Sequence, residues 1–274
     1  KAAIGTGPYK LVKFTKGDRI ELARNDAYWG GRTPWDKVTL RIITQDAARV
    51  AALLAGDVQV IEAVPTADVA RLKGDKRLAL FRQTSDRLMY VHMDSDRAVT
   101  PTVTAKDGKP LDRNPLKDAR VRKALSKMIN RPAIVERVME NEAIPAGQVV
   151  PDFLFGATKN LKVEAYDPEG AKKLLAEAGY PDGFEVTLHA TNNRYVNDAK
   201  IAQAVAQMLT RVGIQSKVET APMAPYSSRA SKQEFSLHMV GWGASTGEAS
   251  SPLRRRRMTV VRGVIMRASG RWRG

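Results

Sequence analysis

Apolar residues recur at helical spacing between Asp167 and Tyr180. Four of them line one face, at positions i, i+3, i+4 and i+7: Ala171, Leu174, Leu175 and Ala178. Asp167 can accept hydrogen bonds from the free backbone N–H groups at the start of such a helix, and Pro168 is tolerated in its first turn. Gly179 follows the last apolar position, so the pattern predicts a helix that ends there.

A strand, an amphipathic helix and a second strand are predicted next. Phe184–His189 and Ile214–Val218 alternate between apolar and polar residues, whereas Asn197–Arg211 carries its apolar residues on one helical face. A unit of this length predicts a right-handed β-α-β crossover with parallel strands. A further strand is predicted at Phe235–Val240, and it leads directly into Gly241-Trp242-Gly243.

The first sixty residues show shorter alternating runs. Lys10–Phe14 and Arg19–Ala23 predict a hairpin, because a Lys-Gly-Asp turn separates them. Val38–Ile43 and Val58–Ile61 are predicted strands on either side of a helix at Ala47–Ala55. The pattern therefore predicts a second β-α-β unit.

Further elements are predicted up to residue 93. Asp46 is the expected cap of the first helix, and a short helix is expected to end at Leu72. Leu78–Gln83 and Leu88–Met93 are predicted strands. Residues 95–114 are polar and interrupted by Pro and Gly, which favours a boundary between two structural units near this point.

A helix pair is predicted after this boundary. One apolar stripe defines the first helix: Val121, Ala124, Leu125 and Met128. Asn130 is the expected cap of the second helix, with Pro132 in its first turn.

The formal charge of +16 on 274 residues raises the possibility of nucleic-acid binding. Its distribution argues against that interpretation, because residues 254–274 contain eight Arg and no acidic residue, and the remaining chain mixes both signs along its helices. This tail has no clear period. We expect it to be disordered or loosely packed, either through a reading-frame change or as a genuine basic arm for phosphate or anionic lipid.

The residue inventory gives no support for catalysis. There is no cysteine, and hence neither a disulfide nor a thiol nucleophile. His92, His189 and His238 lie on predicted strands without metal-ligand spacing, so satisfied strand histidines are the favoured interpretation. Phosphate-loop and nucleophile-elbow motifs do not occur, and we predict neither enzymatic activity nor a cofactor.

The strongest candidates for ligand binding surround Trp242. A Trp between two glycines after a strand is typical of a ligand site at the edge of an α/β sheet, although a core Trp is the alternative. Ser245 and Thr246 offer hydroxyl groups, and Glu248 can pair with an ammonium group. These residue types suit a polar small ligand that carries an amine.

Other candidates lie outside that loop. Arg194 has a guanidinium fork suited to a carboxylate, with a solvated Arg in a capping loop as the alternative. Tyr90 and Met93, on one predicted strand, are candidates if their side chains face the ligand.

Several motifs occur in a fixed order along the chain. Gly5-Thr-Gly-Pro-Tyr9 precedes the hairpin, and Arg24-Asn-Asp-Ala-Tyr-Trp-Gly-Gly31 closes it. Pro115-Leu-Lys-Asp-Ala-Arg-Val-Arg-Lys-Ala-Leu125, the Asp167–Tyr180 helix and Gly241-Trp242 follow. Together they resemble the family 5 extracytoplasmic solute-binding proteins, which are the peptide, glutathione and nickel receptors of ABC importers.

The resemblance implies an α/β fold with the two-lobe architecture of periplasmic binding proteins. Residues 1–92 would be part of an incomplete first lobe, and residues 93–253 a second lobe with a mixed sheet and flanking helices; residues 254–274 form the basic tail. The lobes would close on a solute about a hinge. We expect an incomplete chain of this kind to bind its ligand weakly.

The resemblance also implies a periplasmic or membrane-associated extracytoplasmic location, a membrane permease as partner, and a monomer that does not bind nucleic acid. Dipeptide-type receptors carry an Asp three residues after the Trp, and this chain has Ser245 there. Thr246–Ala249 is more similar to the glutathione-type branch. The alternative is a nucleic-acid-binding protein that uses the Arg-rich tail, and deletion of residues 254–274 would distinguish the two.

Overall fold

The computed structural model describes residues 3–244 and 246–250, together with the backbone of residues 265–269. The chain divides into two compact units, Lys1–Pro65 and Thr66–Gly274.

The first unit contains a three-stranded antiparallel sheet. Its strands are β1 (Tyr9–Thr15), β2 (Arg19–Arg24) and β3 (Lys37–Arg41), in the order β1-β2-β3. Gly17, with φ +79°, provides the left-handed residue of the turn between the first two strands. The predicted hairpin is confirmed.

Two predictions for the rest of this unit are wrong. Helix α1 (Asp46–Ala55) is preceded by Gln45 at its N-cap, and Asp46 lies inside the first turn, where its carboxylate accepts a hydrogen bond from Arg49 at 2.6 Å. Residues 58–61 form no strand, because the Val58 N–H donates to the Ala52 carbonyl and continues the helix end. The second predicted β-α-β unit is therefore absent from the described residues.

The second unit contains a seven-stranded mixed sheet. Its strands are β4 (Thr84–Met93), β5 (Val103–Thr104), β6 (Ala143–Ala146), β7 (Glu185–Thr191), β8 (Gln215–Ala221), β9 (Leu237–Gly243) and β10 (Ile265–Ser269). The strand order is β5-β7-β9-β4-β10-β6, and β8 pairs with β7. β7 is parallel to both β8 and β9, whereas β4 is antiparallel to β9.

In the described part of this unit, six α-helices accompany the sheet: α2 (Thr66–Gly74), α3 (Ala119–Met128), α4 (Arg131–Arg137), α5 (Pro168–Glu177), α6 (Asp198–Arg211) and α7 (Met223–Ser231). The parallel pair β7 and β8, joined through α6, confirms the predicted β-α-β unit. The caps of α4 and α5 are also confirmed, since Asn130 accepts from the Ala133 N–H at 3.0 Å and Asp167 accepts from the Gly170 N–H at 2.8 Å.

The core covers one face of the central strands. Met89, Val91 and Met93 of β4 contribute to it, as do the apolar stripes of α3, α5 and α6. Burial of these stripes supplies the main driving force for folding of the unit. The predicted stripe on α3 is confirmed, because all four of its members are buried.

Three further predictions concern boundaries. Residues 78–83 form no strand, since β4 begins at Thr84. The lobe boundary at residue 92 stays a prediction, and the division into compact units falls earlier, at Pro65. Within the predicted tail, Ile265–Ser269 forms a strand between β4 and β6, while most of the tail lies outside the described residues.

Candidate functional site

The ends of three central strands define the candidate site. β7 and β9 are parallel, so their carboxyl ends lie at the same edge of the sheet. The loop after β7 contains Arg194, and the loop after β9 contains Thr246 and Glu248. Antiparallel β4 begins at this edge and pairs with β9, with Arg87 opposite Gly243. The edge therefore combines residues from distant parts of the chain.

Trp242 lies within β9, because the strand continues to Gly243. It pairs with Leu88 of β4 and is half-buried. The predicted end of this strand at Val240 is wrong, since the strand continues through Trp242. The extra pairing arises because β4 is long enough to provide backbone partners up to Gly243.

Gly241 allows an aromatic ring to pack directly on the strand. A Cβ atom at this position would lie 2.6 Å from both Met89 Sδ and Tyr195 Cε1. The Tyr195 hydroxyl also donates to the Gly241 carbonyl at 3.1 Å. Since side chains alternate along a strand, Trp242 lies on the opposite face from Tyr195.

Asp198 organises the loop that carries Arg194. Its side chain is only 3% exposed. One carboxylate oxygen accepts from the Thr191 hydroxyl at 2.6 Å and from the backbone N–H groups of Arg194 and Tyr195 at 3.1 Å each. The loop at the carboxyl end of β7 is thus held by a buried charge that is fully hydrogen-bonded.

Two arginines lie against the Tyr195 ring. The guanidinium carbon of Arg194 is 5.4 Å from the ring centroid, and that of Arg87 is 5.7 Å from it. Both distances are typical of cation–π contacts. The structure therefore places the predicted Arg194 at the candidate edge and adds Arg87.

The loop after β9 is ordered by Glu248. Its carboxylate accepts from the Thr246 hydroxyl at 2.9 Å, from the Ser250 N–H at 2.7 Å and from the Ser250 hydroxyl. The Ala249 N–H donates to the Phe155 carbonyl at 3.0 Å. Thr246 and Glu248 are thus brought together, whereas the predicted Ser245 lies outside the described residues.

Tyr90 and Met93 point to opposite faces of β4. Met93 is 1% exposed and belongs to the hydrophobic core. Tyr90 is half-buried and lies on the face that also carries Trp242. The structure thus separates these two predicted site residues, since strand alternation does not allow both to face one ligand.

The three histidines form a row across β4, β9 and β7. His92 pairs with His238, and His238 pairs with His189. All three are buried, as expected for strand histidines. However, His92 has no hydrogen-bond partner for either ring nitrogen among the described residues, so the expectation of satisfied histidines is wrong for this residue.

Burial controls the ionisation of this row. It lowers the pKa of His92 to about 4, and the nearby Asp94 charge offsets part of the effect. Burial also lowers the pKa of His238 to about 3, with a smaller contribution from the other two histidines. In the described part of the chain, no group of three or more His, Cys, Asp or Glu is arranged to hold a metal ion.

Three residues of this edge were not predicted from the sequence: Arg87, Tyr195 and Asp198. Asp198 follows Asn197 at the start of an amphipathic helix. This position indicates a helix terminus, but it does not indicate that the Asp198 side chain binds the loop that carries Arg194. Arg87 and Tyr195 come from distant parts of the chain and meet β9 only through the fold, at Gly243 and Gly241, and the sequence carries no signal for that proximity. Among the described residues, no helix is long and apolar enough to cross a membrane.

Comparison with known proteins places this architecture in a family. A sequence model described as "Bacterial extracellular solute-binding proteins, family 5 Middle" matches residues 1–257. The glutathione-binding protein GsiB of Shigella boydii is 33% identical over 259 residues, which cover 91% of this chain and 47% of the relative. The dipeptide-binding protein of Escherichia coli is 31% identical over 248 residues, which cover 89% of this chain and 43% of the relative.

A third curated relative binds a different solute. Heme-binding protein A of Haemophilus influenzae is 28% identical over 251 residues, covering 89% of this chain and 42% of the relative. The chain therefore spans less than half the length of the curated relatives it matches.

Solved structures show the same architecture. The periplasmic binding protein DppA from Helicobacter pylori, in complex with the peptide STSA, is similar with a TM-score of 0.74 and 25% identity, over 89% of this chain and 44% of that chain. NikA from Brucella suis, in complex with Fe(III)-EDTA, shares the fold with a TM-score of 0.74 over 94% of this chain and 51% of that chain, at 22% identity. The predicted periplasmic-binding-protein fold is thus confirmed, and the chain belongs to the family 5 bacterial extracellular solute-binding proteins.

Proposed function

We propose that the protein containing this chain is the solute-binding component of an ABC importer and that it captures a small peptide-like solute, either a di- or oligopeptide or glutathione. The family match over residues 1–257 carries this proposal. Relatives named for dipeptide and glutathione binding support the class of solute. Because the chain spans less than half of those relatives, the proposal concerns the whole protein.

The carboxyl edge of β7 and β9 supplies the chemistry that such a solute needs. Arg194 is exposed there, and its guanidinium can bind a ligand carboxylate through two hydrogen bonds. Trp242 and Tyr90 offer aromatic surface for methylene groups and rings on the other face of the same strands. A ligand lying across the strand ends can contact both faces.

The loop after β9 provides the polar complement. We include Glu248 as the carboxylate that pairs with an ammonium group of the solute, since charge-assisted hydrogen bonds of this kind are strong. We include Thr246 and Ser245 as hydroxyl contacts. Met93 is left out of the proposed site, because it is buried in the core.

The expected role is binding followed by delivery to a membrane permease on the extracytoplasmic side, without chemical conversion of the solute. The relatives are named as binding proteins, which supports this role. Closure of the whole protein on its solute would create the form that the permease recognises.

Calorimetric titration of the full-length protein tests this function. We expect glutathione or a dipeptide such as Ala-Ala to bind, and Trp242→Ala to weaken binding at least about tenfold, because truncation of a buried aromatic contact typically costs more than about 1.4 kcal/mol. Trp35→Ala is the matched control, since Trp35 is 65% exposed in the first unit. The proposal fails if neither solute binds, or if both Trp variants bind as the unsubstituted protein does.

A further inference from the structure

Arg87 occupies a position that the sequence did not single out. It lies on β4 directly opposite Gly243 of β9, and it is half-buried. β7 ends at this same edge, and the loop that follows β7 carries Arg194. Two cationic side chains from distant parts of the chain therefore meet at one point of the sheet.

Both guanidinium groups lie against the Tyr195 ring. Their carbons lie 5.7 Å and 5.4 Å from its centroid. The ring itself is held at both ends, by its hydroxyl bond to the Gly241 carbonyl and by the bond from its backbone N–H to buried Asp198. Because the Tyr195 ring is held in place, the guanidinium groups of Arg87 and Arg194 lie against the same ring before any ligand binds.

Neither arginine has a carboxylate partner within 4 Å among the described residues. Other arginines of the second unit do form such pairs, for example Arg82 with Glu142 and Arg97 with Asp94. Asp86 precedes Arg87 on the strand, and its carboxylate oxygens lie 3.6 Å from the position of an added Cβ at Gly243. Two like charges on one ring repel each other, so an anion between or beside them would be favoured.

We propose that Arg87 and Arg194 together recognise two carboxylates of the solute, and that Arg87 makes the protein prefer a dicarboxylate peptide over a peptide with one carboxylate. The proposal rests on the function proposed above and specifies its substrate class. Planar guanidinium forks bind carboxylates with two parallel hydrogen bonds, which gives geometric selectivity as well as affinity. Glutathione carries two carboxylates, whereas a dipeptide of neutral residues carries one.

Calorimetry with the full-length protein tests the role of Arg87. The probes are glutathione, its glycine ethyl ester, which lacks one carboxylate, and Ala-Ala. We expect Arg87→Gln to weaken glutathione binding about tenfold to hundredfold and to change binding of the two monocarboxylate probes less than about twofold. Arg87→Lys keeps the charge and should retain part of the affinity for glutathione.

Arg211→Gln is the matched control. Arg211 is exposed at the far end of α6, which is about 20 Å long, and the substitution removes the same charge. The inference is overturned if Arg87→Gln binds glutathione as Arg211→Gln does, or if Arg87→Lys and Arg87→Gln weaken all probes equally. If the unsubstituted protein binds no probe, the proposed function fails as well. If it binds the probes but Arg87→Gln does not weaken glutathione binding more than binding of the two monocarboxylate probes, the inference alone fails.

Discussion

His92 and His238 show how the burial of single residues can make the stability of a fold depend on pH. Each is 8% exposed, and their ring centroids are 4.7 Å apart on neighbouring strands. Around them lie His189, Asp94 and the ring of Tyr226, and only the Asp94 carboxylate favours the charged form of His92. Both histidines are therefore neutral in the folded protein at neutral pH.

These two lowered pKa values predict a loss of stability in mild acid. An unfolded His titrates near 6.5, above the folded values of about 4 and about 3. Between pH 6.5 and the folded pKa, the unfolded state binds protons that the folded state excludes. The free energy of unfolding should thus fall by about 2 kcal/mol for each histidine between pH 7.5 and pH 5, as measured by urea unfolding.

A variant with His92→Leu and His238→Phe tests the cause. We expect its free energy of unfolding to change less between these pH values, since only His189 remains of the row. Burial lowers the pKa of His189 as well, but the Glu219 carboxylate, 3.2 Å from Nε2, offsets part of that effect. An unchanged pH dependence in the double variant would assign the effect to other groups.

At the scale of single residues, the sequence identified residue types better than it identified their surroundings. Arg194 was predicted as a carboxylate ligand from its fork of donors, and the structure places it at the expected edge. The choice between Tyr90 and Met93 could not be made, because the face of a strand that contacts the core depends on long-range packing. Arg87 was missed because its neighbours come from β9 and from the loop after β7.

At the scale of elements, local pattern was sufficient where an element buries a periodic face. α5 and α6 were predicted with their terminal signals, and β7, α6 and β8 form the expected parallel unit. Residues 58–61 were predicted wrongly, because a short apolar run becomes a strand only if a neighbouring strand offers its backbone. The short helix α7 was not predicted, since its Ser-rich sequence has little helical periodicity.

The loop between β7 and α6 depends on Asp198. Removal of its carboxylate in Asp198→Ala would leave the Thr191 hydroxyl and the N–H groups of Arg194 and Tyr195 without their acceptor. We expect the free energy of unfolding to fall by about 2–4 kcal/mol, because a buried hydrogen-bonded charge is lost with several donors left unpaired. Urea unfolding followed by circular dichroism measures this change.

Asp182→Ala is the control for this experiment. Asp182 is exposed in the turn before β7, and the structure gives its side chain no ion pair among the described residues. Its substitution should change the free energy of unfolding by less than about 0.5 kcal/mol. Equal effects of the two substitutions would contradict the organising role of Asp198.

At the scale of the whole molecule, the order of motifs carried more information than composition. Five motifs in sequence predicted the family, and the family match over residues 1–257 bears this out. Net charge alone would have favoured a nucleic-acid-binding protein, since +16 is a large excess for 274 residues. Half of that excess resides in residues 254–274, so the charge of the body is much closer to that of an ordinary soluble surface.

The uneven charge predicts how the protein behaves on DNA. Any binding to DNA should be independent of base sequence and should depend on the run Arg254–Arg257. Each phosphate that a cation neutralises releases counterions, and these four adjacent arginines can neutralise neighbouring phosphates. Substitution of these four arginines by Gln should reduce the slope of log K against log salt by up to about 3.6 and leave glutathione or dipeptide binding unchanged. The control replaces four dispersed, exposed lysines by Gln: Lys10, Lys16, Lys76 and Lys232. If the control reduces the slope as much as the arginine variant does, the body itself forms a basic patch, and the solute-binding role would then have to accommodate a second, anionic partner.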